Sequence, residues 1–193
     1  QAKTFSENIL NDQNVDFEES SSSLTDWTDT ANITAAVEAD TTSPNNFMVY
    51  RDQRSAKLTC AATSTGTFTI SATNPTNYES EELNFSIWVY SKTASVVSPI
   101  IQIDSDTATS GSAHAGSGWE RLTVSATAAN IASTIKAGLT FASNSAIYTV
   151  YADEAMLTAG PSEAPLGYEA IILDWYEEGD NLTFLSPPPH QHN

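Results

Sequence analysis

Three histidines and one cysteine are all the imidazole and thiol chemistry this chain possesses, and where they stand limits what it can do. His190 and His192 flank Gln191 behind Pro187-Pro188-Pro189, and His114 lies in the glycine-rich stretch Ser110–Gly118. A His-x-His pair can ligate a metal, but here it reads as part of an unpacked tail. Cys60 sits in the alternating run Lys57-Leu58-Thr59-Cys60-Ala61 and reads as a small buried hydrophobe rather than a reactive thiol. No nucleophile elbow, phosphate-binding loop, His-Glu-x-x-His pair or cysteine cluster occurs. The acidic pairs Glu81/Glu82 and Glu177/Glu178 are adjacent, so in strands they would point to opposite faces and could not flank one glycosidic bond. Asn32, Asn84 and Asn181 begin Asn-x-Ser/Thr triplets, which in a chain this rich in Ser and Thr arise by chance. What remains is a contact surface. In Leu83–Ser91, Leu83, Phe85, Ile87 and Val89 point one way, while Asn84, Ser86, Trp88, Tyr90 and the following Lys92 point the other. Two aromatics on a polar face suit holding rather than reacting, and no enzyme is expected.

The elements that must position these residues are strands, because period-two alternation recurs along the chain and helical periodicity does not. The pattern predicts strands at Val15–Glu19, Asp26–Asp29, Ile33–Glu38, Phe47–Arg51, Ala56–Ala61, Thr67–Ser71, Leu83–Ser91, Ser95–Asp104, Glu120–Ala126, Thr134–Phe141, Ala146–Asp153 and Ala155–Thr158. Turn-rich spacers such as Thr41–Asn46 and Ser110–Gly118 separate them. Only Ala126–Ala137 offers a competing helix, of one turn at most. This spacing implies an all-β antiparallel sandwich or barrel. Beyond Thr158 the texture changes: residues 161–167 read as a linker, 168–185 as a short hairpin, and 186–193 as a polyproline-like end. The expected division is therefore a sandwich at 1–160 and a C-terminal extended arm at 161–193, packed on the sandwich or on another subunit.

Composition narrows the partners. The 193 residues carry 7 basic and 24 acidic side chains, a formal charge of −17 and a pI near 4.1. That balance argues against nucleic acid and against an anionic membrane surface, both of which need a basic footprint. A hydrophobic content of 40% supports a real core. A single cysteine excludes an internal disulfide, leaving a core, a metal or a partner subunit to hold the fold. No window suggests a membrane span, and the first twenty residues lack the pattern of a signal peptide. The chain starts with Gln, as expected if a leader has been removed or if it is part of a longer polypeptide.

Several landmarks then fall in a telling order: Asn8-Ile9-Leu10, Val15-Asp16-Phe17-Glu18, Trp27, Phe85-Ser86-Ile87-Trp88-Val89, the run His114–Val124 and the closing Val150–Leu157. Over about residues 5–160 this resembles the carbohydrate-binding-module jelly roll of the family 4/9/22 type. The segment His-x-Gly-x-Gly-Trp-x-Arg-Leu-Thr-Val is especially similar to the version in tail, fibre and decoration proteins of tailed bacteriophages. The resemblance implies a jelly-roll β-sandwich. It also implies a structural calcium held by Glu18 and Asp153, although Glu154 stands where a second Asp is common. By the same resemblance, sugar would rest on Trp88 and Tyr90 with Asn84 and Ser86 beside them, joined by Gln102 and Asp104 from the next strand. Alternatively, a neighbouring subunit or the arm covers those aromatics. Trp27 and Trp119 would be core or rim packing, and His114 a loop-ordering residue.

These observations lead to a non-enzymatic virion structural protein of a tailed phage, such as a capsid decoration, head-fibre or tail-appendage subunit. It would be homo-oligomeric, as a trimer, and would contact other virion proteins and cell-surface glycan at the virion surface. The alternative is a secreted carbohydrate-binding module from a polysaccharide-degrading enzyme.

Overall fold

The computed structural model describes residues 8–10, 13–19, 22–39, 48–73, 75–128 and 131–160. Ten strands follow in chain order: β1 (Trp27–Asp29), β2 (Ile33–Ala39), β3 (Arg54–Cys60), β4 (Gly66–Ser71), β5 (Glu82–Ser91), β6 (Val97–Ile103), β7 (Thr109–Ser110), β8 (Gly118–Thr127), β9 (Ile135–Phe141) and β10 (Tyr148–Ala159). They form two antiparallel sheets, ordered β1-β4-β9-β6-β7 and β2-β3-β10-β5-β8. Apart from β2–β3 and β6–β7, consecutive strands belong to opposite sheets. This is the antiparallel jelly-roll sandwich that the alternation and the resemblance together imply.

The alternating side chains fill the space between the sheets. Leu83, Phe85, Ile87 and Val89 are at most 1% exposed, and Phe68, Ile70, Leu122 and Val124 join them in the core from other strands. Each such burial contributes about 1.5–3 kcal/mol. Trp27 is core, stacked on Phe68 at 4.5 Å and donating its indole N–H to the Asn14 carbonyl. Cys60 is buried, its thiol turned to the carbonyls of Ala61 and Ser64.

Several expected strands differ. Val15–Glu19 forms none: Phe17 adopts φ 60° and the Asp16 carboxylate accepts the Glu18 N–H, so local side-chain bonding replaces the ladder. The segment still lies against β10, whose Ala155 N–H donates to the Val15 carbonyl, and upstream of it Ile9 N–H donates to the Leu157 carbonyl. Of the run Phe47–Arg51, the described residues 48–51 form no strand either. The two runs Ala146–Asp153 and Ala155–Thr158 are one strand, β10, interrupted by a bulge between Asp153 and Met156 where Glu154 has φ 50°. The described residues 131–134 form no helix. The linker, hairpin and arm expected at 161–193 lie outside the described residues.

Candidate binding face

The site grows out of strand register. With the odd-numbered side chains of β5 in the core, its even-numbered ones point outward, and the paired strands match them row by row. Tyr151 of β10, Tyr90 of β5 and Trp119 of β8 stand directly opposite one another. Their rings meet at steep angles, Tyr90 lying 6.2 Å from Tyr151 and 5.8 Å from Trp119. The next row is Asp153, Trp88 and Arg121, followed by Met156, Ser86 and Thr123, then Thr158, Asn84 and Ser125. An aromatic row thus passes into a polar one along three adjacent strands. Asn84, Ser86, Arg121, Thr123 and Ser125 border a small pocket. The Arg121 guanidinium donates to the Ser86 hydroxyl at 3.1 Å, and the Asn84 amide donates to the Gly160 carbonyl at 2.8 Å.

A fifth ring comes from outside the sheet. Tyr50, in the irregular segment before β3, stacks on Trp88 at 4.1 Å with the planes 16° apart and lies 5.4 Å from Trp119. It is 37% exposed whereas Trp88 is half-buried beneath it, so the outermost flat surface belongs to Tyr50. The cover on Trp88 therefore includes a residue of the same domain, an option the sequence did not suggest. Tyr50 carries no periodic signal, since its side chain is aimed by a loop. Trp119 and Tyr151 were findable: each occupies an outward position in an alternating strand. Trp119, expected as packing, belongs to this face.

Asn84, Trp88 and Tyr90 are brought together as expected. Gln102 and Asp104 are not, because β6 pairs in the other sheet and is no neighbour of β5. The chain crosses between the sheets in residues 92–96 instead of turning back in a hairpin. Asp104 serves its own loop, where its carboxylate accepts the N–H groups of Ser133 and Thr134, each at 2.7 Å. Gln102 donates to the Asp106 carbonyl.

Glu18 and Asp153, the pair expected at a calcium ion, hold backbone N–H groups. Asp153 is 1% exposed; its Oδ2 accepts from Tyr50 N at 3.1 Å and Arg51 N at 3.0 Å, and its Oδ1 from Glu154 N at 2.9 Å. Burial pushes its carboxyl up to about 8, against the downward pull of those donors. Glu18 Oε1 accepts from Gln53 N at 2.8 Å and from Arg54 N, while Oε2 meets the Arg54 guanidinium at 3.2 Å. Calcium requires six to eight oxygens turned toward one point. Here the carboxylate oxygens are turned toward hydrogen donors, and among the described residues no three His, Cys, Asp or Glu side chains gather as a metal site. The donor set does not fit the ion, and no step below runs through it.

No protein-family model matches the chain, and no curated protein matches it either. Solved structures share its fold. It is similar to the xylan-binding domain CBM22-1 of Xyn10C from Paenibacillus barcinonensis, with a TM-score of 0.60 at 15% identity over 83% of this chain and 99% of that one. It is similar also to the module TmCBM61 in complex with β-1,4-galactotriose, with a TM-score of 0.59 at 11% identity over 80% and 99% of the two chains. A third likeness is to the enzymatically active domain of tailspike protein 4 of bacteriophage CBA120: TM-score 0.55, 13% identity, 79% of this chain and 21% of that one.

Proposed function

We propose that this domain holds carbohydrate without transforming it, on the outer face of the β2-β3-β10-β5-β8 sheet. The observation that carries the reading is the half-buried aromatic group Tyr90, Trp119 and Trp88, backed by the buried Tyr151, topped by the exposed Tyr50 and continued by Asn84, Arg121, Thr123 and Ser125. A pyranose presents C–H groups on its faces and hydroxyls around its rim, and a flat ring beside a polar file matches both. Support also comes from the carbohydrate-binding-module-like fold, whose solved counterparts include a xylan-binding domain and a module carrying a galactotriose. Nothing in the four rows suits hydrolysis: their acidic member, Asp153, is shut beneath the Tyr50–Arg51 backbone. The domain would work outside the cell, as part of a secreted protein acting on polysaccharide.

The test is affinity electrophoresis against soluble glycans, with β-1,4-xylan and β-1,4-galactan first among them. The wild type is expected to be retarded by at least one. Tyr50→Ala and Trp119→Ala, which remove half-exposed rings, are each expected to weaken binding roughly tenfold or more, as losing about 1.4 kcal/mol or more implies, with thermal unfolding little changed. Passage of the wild type unretarded through a broad panel would overturn the reading.

A second reading places the same face on a phage particle, in a tail appendage, head fibre or capsid decoration, and the likeness to a tailspike domain favours it. It carries the expectation of a homotrimer bound to other virion proteins. Light scattering on the full chain and on a chain ending at residue 160 distinguishes the two, because a strict monomer in both cases removes the trimer.

A further inference from the structure

We infer that Glu18 and Asp153 are positioning residues of the binding face, holding Tyr50 on Trp88 through backbone N–H groups with no cation between them. Its consequence for affinity rests on the glycan-binding reading above; the latch itself does not.

Asp153 and Trp88 are register partners on neighbouring strands, so their side chains leave the sheet side by side. Tyr50 is fastened to both of them, its backbone N–H to the Asp153 carboxyl at 3.1 Å and its ring to the Trp88 ring at 4.1 Å. Arg51 N–H shares the same Asp153 oxygen. Two residues on, Glu18 takes the N–H groups of Gln53 and Arg54, and Arg54 returns the contact by donating to the Glu18 carbonyl at 2.8 Å. Within residues 50–54 the exception is Asp52, which turns the chain at φ 61° between the two anchors. Ser55, fully buried, closes the loop by donating to the Met48 carbonyl at 2.6 Å.

The anchors come from far apart in the chain, one before the first strand and one at the bulge of the last. That bulge is what makes the arrangement possible. It takes Glu154 and Ala155 out of the ladder directly after Asp153, where the Asp153 oxygens meet a loop passing over the sheet. An unlatched tyrosine on a surface loop would sample many rotamers and would have to be ordered by each ligand, so fixing it beforehand favours affinity. The N–H groups around both carboxyls supply the positive ends that an ion would otherwise bring. The two acids therefore act on ligand only through Tyr50.

The test uses the full chain and has two arms. Near-ultraviolet circular dichroism reads the Tyr50–Trp88 stack without any glycan. The stack signal, defined as the part lost in Tyr50→Ala, is expected to fall in Glu18→Ala and in Asp153→Ala, to be retained in Glu18→Gln, which keeps an acceptor oxygen, and to be indifferent to excess calcium or EDTA. In the second arm, affinity for whichever glycan retards the wild type is expected to drop about tenfold in Glu18→Ala, but to show no further drop when Glu18→Ala is added to Tyr50→Ala. An intact stack in Glu18→Ala would overturn the inference, as would its loss from the wild type in EDTA or an equal drop in the Tyr50→Ala background. If Asp153→Ala does not fold, Glu18→Ala alone decides. A wild type that binds no glycan removes the functional reading, and the first arm still judges the latch.

Discussion

Asp153 is the one acidic side chain that is buried among the described residues. Burial raises its folded-state pKa to about 8, and the carboxyl of neighbouring Glu154 adds to the rise, while the three N–H donors oppose it. In the unfolded chain an aspartate releases its proton near 4. Between about pH 4 and pH 8 the native protein thus holds a proton that the unfolded chain has lost, and stability is greatest at the acid side of that window and falls as pH rises through it. One group contributes at most about 1.4 kcal/mol per pH unit to the slope. Urea unfolding of the wild type and of Asp153→Asn at pH 5 and pH 7.5 checks this: the wild type is expected to lose the larger share of its stability. At this scale the sequence was legible where a side chain's direction follows from strand parity, as for Trp88, Tyr90 and Asn84. Tyr50 was not legible, because a loop aims it and no period marks a loop. Gln102 and Asp104 were misplaced because alternation tells which face of a strand a residue takes, never which sheet the strand joins.

The elements that present the face depend on one buried imidazole. His114 is 1% exposed in the loop leading into β8. Its Nε2 lies 3.0 Å from both the Val89 and Gly118 carbonyls, and its Nδ1 accepts the Gly116 N–H at 2.8 Å. This arrangement puts the proton on Nε2 and fixes where Trp119 enters the sheet. Gly116 makes the turn possible: its φ is +83°, and a Cβ there would stand 2.5 Å from the Ala94 nitrogen. Replacing His114 by Ala leaves buried polar groups unpartnered, and we expect a loss of about 2–3 kcal/mol in urea unfolding together with weaker glycan binding. Unaltered stability would show that water replaces the ring. The loop-ordering role expected for His114 is what the structure shows. The segments that failed as strands, Val15–Glu19 and 48–51, share one cause: N–H groups in and beside them are spent on Asp and Glu side chains, which outcompete a ladder.

For the molecule as a whole, the formal charge of −17 is the dominant long-range fact. Some cations are drawn into local pairs, Arg51 with Glu154, Arg54 with Glu18 and Lys57 with Glu38, so the remaining acids repel one another across the surface. Added salt shortens the reach of that repulsion from about 30 Å at 10 mM to about 10 Å at 100 mM. The melting temperature is therefore expected to rise between 10 mM and 300 mM sodium chloride, and a fall would mean that the ion pairs matter more than the repulsion. The whole fold was the most legible level, because ten short strands without helical period leave few architectures. The strand order is a different matter. β10, the last strand described, lies at the centre of its sheet, bonded to β3 through Tyr148–Ala152 and to β5 through Tyr151–Ala159. On the ribosome, then, β2 and β3 on one side and β5 and β8 on the other emerge without the piece that joins them. The sheet therefore cannot be completed until residue 159 has cleared the exit tunnel.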